Sequence, residues 1–341
     1  MQNVPKGNKS DIKLVFTSRW GADGKLIQSD FTALEIYIQA TLTKCKQLIE
    51  DLKKGLDMHC LRLANKEGMD YDEVYKLCKG YKDDQGVWHD SVSEWDYKRT
   101  DAKVYSFQAA YGAGDEKISE STGIPVEVVA AFRAADNERY PEIPAYFEAR
   151  TAEIKANRRP SHTIPHPRVP GVMCNIGRSS VRTPDGKLYS YIEQPAPDWL
   201  VKRGTYCSFS PTEIKNYEVQ GGGGEWAKAA MWLAIRSFYK HRNFGHLALL
   251  CNQVHDALYA DAHNTASLKA AALLHACMEA ASDFMEYYFD WKIDVPVPSD
   301  TTWGLNMKEE NRIDGLKELA QQFRQELRAD YMEGYVPSFA N

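Results

Sequence analysis

One stretch constrains this chain more than any other: a helical stripe that begins at Arg99 and ends before Gly112. Lys103, Phe107 and Tyr111 follow Arg99 at steps of four residues, and each step turns an α-helix about 40° past a full turn, so the four side chains form one slanted stripe. Two cations at one end and two aromatic rings at the other suit a ligand with an anionic tail and a flat head, such as a nucleoside triphosphate. The same spacing also fits an ordinary amphipathic helix.

The composition narrows the class of protein. The chain has 341 residues, of which 43% are hydrophobic and 26% charged, which predicts a globular protein with a sizeable core. A net charge of −5 argues against nucleic-acid binding over the whole surface, but not against a local basic cleft. The seven cysteines are scattered without C-x-x-C spacing, which predicts free thiols in a reducing compartment. No apolar run of about 18 residues and no signal-peptide pattern are present, so we expect a cytoplasmic protein.

Two aspartates occupy rigid backbone positions. Asp30 lies between a predicted strand and a predicted helix that begins near Ala33, where a carboxylate could bind a metal ion or simply cap the helix. Asp256 lies with His255 at the turn of a hairpin predicted over residues 247–260. A strand end and a tight turn both hold a side chain in a fixed place, which a metal ligand requires.

Three other segments differ from their surroundings. Residues 156–190 carry six Lys or Arg against one acid and are predicted to be irregular apart from one hairpin, so Arg178 and Arg182 are candidate phosphate contacts or part of a solvated loop. Gly221–Gly224 are predicted to interrupt a helix, and the absence of a following Gly-Lys-Ser/Thr argues against a P-loop. The tail is predicted to form an amphipathic helix over residues 309–331.

Five short segments, in this order, resemble the motifs of family A (polymerase I-like) DNA polymerases, phage enzymes in particular. They are Asp30-Phe-Thr-Ala-Leu-Glu35, Asp57-x-His59, Arg99-x3-Lys103-x3-Phe107-x3-Tyr111-Gly112, Asn216-x3-Gln220-Gly221 and Val254-His255-Asp256. Each motif is weak alone, but their order and spacing identify the chain as a member of the family across residues 2 to about 305.

The resemblance implies an α+β fold: a right-hand polymerase palm, which is an antiparallel sheet with helices, plus mostly helical fingers. The implied domains are a first part of the palm at 1–45, fingers at 46–156, a second part of the palm at 157–308 and a C-terminal helical extension at 309–341.

The implied activity is template-directed DNA synthesis, in which a dNMP is transferred to a primer 3′-hydroxyl by a two-metal-ion mechanism. Asp30, Asp256 and the carbonyl of Phe31 would hold two Mg²⁺ ions, with Mn²⁺ able to replace them.

The stripe helix and its neighbours would bind the dNTP. Arg99, Lys103 and His59 would grip the phosphates, and Lys103 would also act as general acid toward pyrophosphate. The resemblance further implies one role for each of three other side chains: base packing by Phe107, a place near the templating base for Tyr111, and exclusion of a ribose 2′-hydroxyl by Glu35.

Primer-template DNA would be the second substrate. Asn216, Gln220 and His255 would contact the primer terminus or the minor groove, and Arg178 and Arg182 would contact the DNA backbone.

The chain departs from the family pattern in several places. Ala257 stands where the family usually has an acid, and Gly222–Gly224 replace the usual small-residue helical sequence. Gln2–Pro5 resemble a signature that normally lies inside the palm, downstream of a thumb and a 3′–5′ exonuclease domain. We therefore expect one part of a split polymerase or a truncated form, weakly processive alone, with a second polypeptide supplying thumb and exonuclease. If phage-encoded, it would act in the bacterial host cytoplasm.

Two alternatives stay open on the sequence. A single-subunit RNA polymerase shares the two aspartates and the stripe helix, but carries a small residue where this chain has Glu35. A degenerate, non-catalytic nucleic-acid-binding polymerase subunit would account for Ala257, although it would not need both Asp30 and Asp256.

Overall fold

A computed structural model describes residues 11–110 and 112–338 of the chain. Both Tyr111 and the Gln2–Pro5 signature lie outside the described residues. The helices are α1 (Leu34–Thr43), α2 (Lys46–Lys53), α3 (Met58–Glu67), α4 (Tyr71–Lys79), α5 (Ser93–Ala110), α6 (Asp115–Thr122), α7 (Val126–Arg139), α8 (Glu142–Ala156), α9 (Asp198–Val201), α10 (Pro211–Lys240), α11 (Arg242–His246), α12 (Asn264–Phe289) and α13 (Leu316–Tyr331). The strands are β1 (Gly24–Phe31), β2 (Tyr81–Lys82), β3 (Trp88–His89), β4 (Arg159–Pro165), β5 (Met173–Arg182), β6 (Leu188–Ile192), β7 (Gln194–Pro195), β8 (Cys207–Ser208), β9 (Ala248–Val254), β10 (Ala257–His263) and β11 (Ser299–Gly304).

The fold is α+β with antiparallel sheets, as the sequence predicts. The chain divides into two compact units: unit 1 comprises Met1–Thr41 and Gln220–Asn341, and unit 2 comprises Leu42–Val219. All seven cysteines are described and are free thiols, as predicted. None of the described helices is long and apolar enough to cross a membrane.

Unit 1 is built on a four-stranded antiparallel sheet with the order β11-β1-β10-β9. Helix α12 packs against β1, β10 and β11 and buries a run of small residues, among them Ala270, Ala271 and Ala272. Small side chains let a helix backbone lie close to a sheet, so α12 packs closely against the two central strands, β1 and β10.

The tail helix is confirmed, but its predicted start is wrong. Residues 309–315 precede the helix, and α13 begins at Leu316 after Gly315, whose φ of 71° suits glycine and not a helical residue. Its buried side chains Leu316, Ala320 and Leu327 belong to the face that packs against α12.

The predicted break at Gly221–Gly224 is wrong, because α10 runs through all four glycines. A Cβ on Gly222 would lie 2.8 Å from the Cγ2 of Ile38, and one on Gly223 would lie 3.2 Å from the Cδ2 of Leu34. Close packing of α10 against α1 therefore accounts for glycine at these two positions. A Cβ on Gly224 would meet no atom within 4 Å.

Unit 2 contains a helical core and a separate three-stranded sheet. The helical core joins α3–α7 through buried side chains such as Leu63, Tyr105 and Phe132. The sheet has the order β4-β5-β6, and its Val181, Tyr189 and Tyr191 pack with Ile154 of α8 in a second cluster.

Within the basic segment 156–190, the hairpin predicted around residues 183–186 is confirmed as the β5–β6 turn, whereas the prediction that the rest is irregular is wrong for β4 and β5. The prolines of the segment lie in and beside the edge strand β4, where a missing N–H is tolerated. Packing on α8 also places residues 157–219 in the same unit as residues 42–156. The sequence instead predicts that residues 157–219 belong to the second part of the palm. The division of the chain into palm and fingers remains a prediction.

Candidate active site

Asp30 and Asp256 lie at the same end of the sheet in unit 1. Strand β1 pairs with β10 so that Ser29 lies opposite Leu258. The strands are antiparallel, so moving one residue forward from Ser29 and one residue back from Leu258 places Asp30 opposite Ala257. Asp256 is the residue before Ala257. Neighbouring strands are about 4.8 Å apart, so Asp30 near the end of β1 and Asp256 just before β10 lie at the same end of the sheet.

The charges of both carboxylates affect the pKa of Tyr259. Tyr259 lies opposite Gln28 in the β1–β10 register, and Gln28 shares a face of β1 with Asp30 because alternate residues point the same way. Burial is the largest cause that raises the pKa of Tyr259 to about 12, and the negative charges of Asp30 and Asp256 add to it. Both carboxylates therefore lie close enough to the phenol for their charges to act on it.

The hairpin turn that carries Asp256 has a constrained backbone. His255 and Asp256 are the two residues between β9 and β10, and His255 has a φ of 55°. A positive φ is uncommon for a residue other than glycine and is needed in tight two-residue hairpins. Gln253 steadies the turn by donating from Nε2 to the His255 carbonyl over 3.0 Å.

The donor set suits a hard divalent cation. Mg²⁺ is commonly held by one or two carboxylates, with water and substrate phosphates completing its shell. Asp30 and Asp256 supply two carboxylates, and the backbone carbonyl of Phe31, next to Asp30, supplies one further oxygen. Within residues 11–110 and 112–338, no group of three or more His, Cys, Asp or Glu side chains is arranged to hold a metal ion, so a site here depends on such outside ligands.

Sequence reasoning missed one acid beside this pair. Asp300 of β11 lies directly opposite Asp30 in the register, while Ala257 flanks Asp30 on the other side. No local pattern could reveal this, because the β1–β11 pairing joins residues 270 positions apart. Two carboxylates facing each other across a sheet repel, so a cation near Asp30 would be favoured electrostatically.

A cationic cluster in unit 2 gathers three of the predicted phosphate ligands. Arg99 and Lys103 lie one helical turn apart on α5, and His59 lies in the first turn of α3. The Arg99 guanidinium binds Asp57 with an Nη2–Oδ2 distance of 2.5 Å. Asp57 also caps α3, because its Oδ1 accepts hydrogen bonds from the backbone N–H groups of His59 and Cys60, both at 3.0 Å.

His59 is neutral in this cluster. Burial lowers its pKa from 6.5 to about 4, and the positive charges of Arg62, Arg99 and Lys103 contribute, while Asp57 opposes them. Two of these cations are already paired with carboxylates, Arg62 with Asp136 at 2.8 Å and Arg99 with Asp57, so a phosphate would have to compete with Asp57 for the Arg99 donors. Lys103 itself is exposed.

The other predicted nucleotide contacts are placed only in part. Glu35 is half-buried in the first turn of α1, which follows β1 through Ala33, a residue with a φ of 51°. Phe107 belongs to α5, as Arg99 and Lys103 do.

The predicted DNA contacts lie on α10, on β5 and, for His255, in the turn between β9 and β10. Asn216 and Gln220 are one turn apart on α10 and share a face. Arg178 and Arg182 point outward from β5, and Arg159 of β4 lies opposite Arg178. A groove of about 840 Å³ runs along this sheet and is lined in part by Arg158, Arg159, Arg178, Ser180, Ser190 and Tyr191.

Comparison with known proteins identifies a family. A family model described as DNA polymerase family A matches residues 1–309. The thermostable DNA polymerase I of Thermus thermophilus is 23% identical over 306 residues, covering 89% of this chain and 29% of the relative. The DNA polymerase of Bacillus phage SP01 is 21% identical over 353 residues, covering 97% of this chain and 33% of the relative. The chain thus spans a third or less of the length of these relatives.

A solved structure shares the fold. The polymerase domain of Pol1 from M. smegmatis, in complex with a DNA primer-template and dNTP, superposes with a TM-score of 0.60 at 17% sequence identity. The match covers 91% of this chain and 45% of that chain.

Proposed function

Because this chain belongs to DNA polymerase family A, we propose that it catalyses template-directed DNA synthesis, transferring a dNMP from a dNTP to a primer 3′-hydroxyl. The family match over residues 1–309 carries the proposal. The two aspartates at one sheet edge and the cationic cluster of unit 2 support it, because nucleotidyl transfer needs a divalent-metal site and a site for phosphates.

Asp30, Asp256 and the carbonyl of Phe31 are proposed to hold divalent metal. Two Mg²⁺ ions bound by these oxygens would lower the pKa of the primer hydroxyl and offset the charge of the triphosphate. The strand end and the hairpin turn keep the two carboxylates fixed, so the protein need not reorganise during the reaction.

The phosphates are assigned to the cationic cluster. Arg99 is proposed to offer a fork of donors once its Asp57 partner is exchanged for phosphate oxygens, and neutral His59 to donate one hydrogen bond. Lys103, exposed and one turn from Arg99, is proposed to donate a proton to the leaving pyrophosphate.

The remaining residues are proposed to choose and hold the substrates. Glu35 would exclude a ribose 2′-hydroxyl, while Phe107 and Tyr111 would pack near the incoming and templating bases. The proposed DNA contacts are Asn216, Gln220, His255, Arg178 and Arg182. The expected second polypeptide with thumb and exonuclease stays a prediction.

Primer extension tests the proposal. We expect the wild-type chain with Mg²⁺ to extend a primer with templated dNTPs, and the Asp256→Ala chain to lose at least about 100-fold in rate, since a metal ligand is worth several kcal/mol. Equal extension by both chains, or none by the wild type, would contradict it. Incorporation of rNTPs as readily as dNTPs would favour an RNA polymerase instead.

A further inference from the structure

Helix α13 lies beyond the part of the chain that the family model matches. The match ends at residue 309, and α13 spans Leu316–Tyr331. Membership of the family therefore assigns this helix no role. Its contacts within unit 1 lead from the C-terminal tail to the strands that carry Asp30.

The first contact is a buried ion cluster. Asp283 of α12 is fully buried, and its Oδ2 lies 2.8 Å from the Nε of Arg328. Arg324 adds a second pair of contacts, from Nε and Nη2 to the two Asp283 oxygens at 3.2 and 3.1 Å. A buried carboxylate is stable only with such partners, so both arginines fasten α13 to α12.

Within the part of the chain that the structure describes, only Arg324 of these two arginines also contacts Glu279. Its Nη1 lies 3.3 Å from Oε2 of Glu279. The other oxygen of Glu279, Oε1, lies 3.4 Å from Nε2 of His275. His275 is one turn before Glu279 on α12 and is almost fully buried. The guanidinium thus faces a carboxylate that in turn faces a buried imidazole.

His275 continues the chain of contacts to the sheet. Its Nδ1 lies 3.0 Å from the hydroxyls of both Thr301 and Ser299 on β11. The Thr301 Oγ1 lies 2.6 Å from the Ser29 Oγ on β1. A carboxylate accepts but does not donate, so Glu279 fixes the hydrogen of the neutral ring on Nε2. Nδ1 then accepts from Thr301, which in turn accepts from Ser29.

These hydroxyls lie directly behind the proposed metal ligand. Ser29 pairs with Thr301, Asp30 with Asp300, and Phe31 with Ser299 in the β1–β11 register. Ser29 therefore precedes Asp30 by one residue and points to the opposite face of the sheet. We call the three hydroxyl residues Ser29, Thr301 and Ser299 the hydroxyl ladder, and His275 contacts two of them. The ladder's Ser29–Thr301 contact joins β1 to β11 one residue before Asp30, and Ser299 lies opposite Phe31, one residue after Asp30.

We propose that Arg324 is a positioning residue for Asp30, which it holds in place through Glu279, His275 and the hydroxyl ladder. The proposal rests on the proposed function, because Asp30 receives its role there. By engaging Glu279, Arg324 weakens the pull of that carboxylate on the ring and keeps His275 neutral. A protonated His275 would carry a hydrogen on Nδ1 and could no longer accept from Thr301.

The charges around His275 agree with this arrangement. Burial is the largest cause that lowers its pKa, and Lys317 and Arg324 of α13 lower it further. Glu279 of α12 and Asp300 of β11 act in the opposite direction. Both cations come from α13, so the tail helix adds to the effect of burial on the ring.

Arg324→Gln and Arg328→Gln form a matched pair for the test, because each removes one of the two arginines that bind Asp283. We expect similar falls in melting temperature from both. Only Arg324→Gln should lower the single-turnover rate of dNTP insertion, by about tenfold, the lower end of what outer partners of metal ligands are worth. Equal rate losses in the two variants would reduce Arg324 to a structural contact and overturn the proposal.

A readout independent of DNA synthesis is the titration of His275, followed by ¹⁵N NMR of the imidazole. We expect a neutral Nε2–H ring at pH 7 in the wild type and in Arg328→Gln, and a raised titration midpoint in Arg324→Gln. An unchanged midpoint would overturn the proposal. If the wild type extends no primer, the proposed function fails, and this titration still decides whether Arg324 controls the ladder.

Thr301→Val provides a second route that leaves α13 intact. It removes the hydroxyl between His275 and Ser29 with little change in volume. We expect a rate loss similar to that of Arg324→Gln, and little further loss when the two changes are combined, because both break one chain of contacts. Full additivity in the double variant would contradict the proposal.

Discussion

At the scale of single residues, Asp57 controls the proposed phosphate site more than the sequence indicated. The sequence predicts a nucleotide contact at the motif Asp57-x-His59, and the structure gives the aspartate two separate tasks. Its Oδ1 caps α3 and its Oδ2 binds Arg99. A triphosphate must therefore compete with a carboxylate for the Arg99 guanidinium.

Asp57→Asn separates these two tasks. Asparagine caps helices as well as aspartate does, so α3 should be preserved while the negative charge beside Arg99 is lost. We expect the dissociation constant for a dNTP to fall by about threefold at low salt, since a partly exposed charge pair is worth up to about 1 kcal/mol. Equilibrium binding of a fluorescent dNTP to the unliganded chain measures this.

Arg99→Ala is the control for that change. It should weaken dNTP binding by itself, and Asp57→Asn should bring no gain in its background, because the released partner is gone. A gain of the same size in both backgrounds would mean that Asp57 acts through the general field of the cluster, not through Arg99.

At the scale of elements, the sequence predicted what is encoded locally. The stripe helix, the strand before Asp30 and the hairpin at Asp256 follow from periodicity and turn residues within short windows. The position of Asp300 opposite Asp30 could not be predicted, because strand register is set by packing between distant segments. The glycine run misled for the same reason: glycine disfavours a helix locally, but at Gly222 and Gly223 the close approach of Ile38 and Leu34 favours it.

Gly222→Ala and Gly224→Ala test that explanation of the glycine run. Both changes favour the helix by roughly 1 kcal/mol. At Gly222 the new methyl would meet Ile38 at 2.8 Å, and overpacking typically costs about 1–3 kcal/mol. We therefore expect Gly224→Ala to raise the free energy of unfolding in urea, and Gly222→Ala to leave it unchanged or lower it. Equal stabilisation by both would show that α10 does not pack closely on α1.

At the scale of the whole molecule, net charge hides a local basic surface. The chain has a net charge of −5, yet the groove along β4–β6 gathers Arg158, Arg159 and Arg178. Glu193 pairs with Arg158 at 2.8 Å, so Arg158 is the less available of the three for phosphates. DNA binding by an acidic protein is thus expected to depend on a few arginines.

The salt dependence of DNA binding measures these contacts. Each phosphate contact contributes about −0.9 to the slope of log K against log salt. Arg178→Ala and Arg182→Ala should each make the slope shallower by about one, and should weaken all DNA sequences alike. Lys79→Ala, on the exposed end of α4, is the control for loss of one charge. The same change in slope for Lys79→Ala would remove Arg178 and Arg182 from the proposed DNA interface.

Asp30 and Asp256 are the two side chains on which the proposed nucleotidyl transfer depends. Single-turnover insertion of one dNTP into a bound primer-template tests this most directly, with Asp261→Asn as the matched control. Asp261 lies on β10 but accepts a hydrogen bond from Ser18 at 2.6 Å. We predict that Asp30→Asn and Asp256→Asn each lower the rate by about 1,000-fold, since a metal ligand is worth several kcal/mol. Asp261→Asn should stay within about threefold of the wild type by the same reasoning. Rates for Asp30→Asn or Asp256→Asn that match Asp261→Asn would contradict the account.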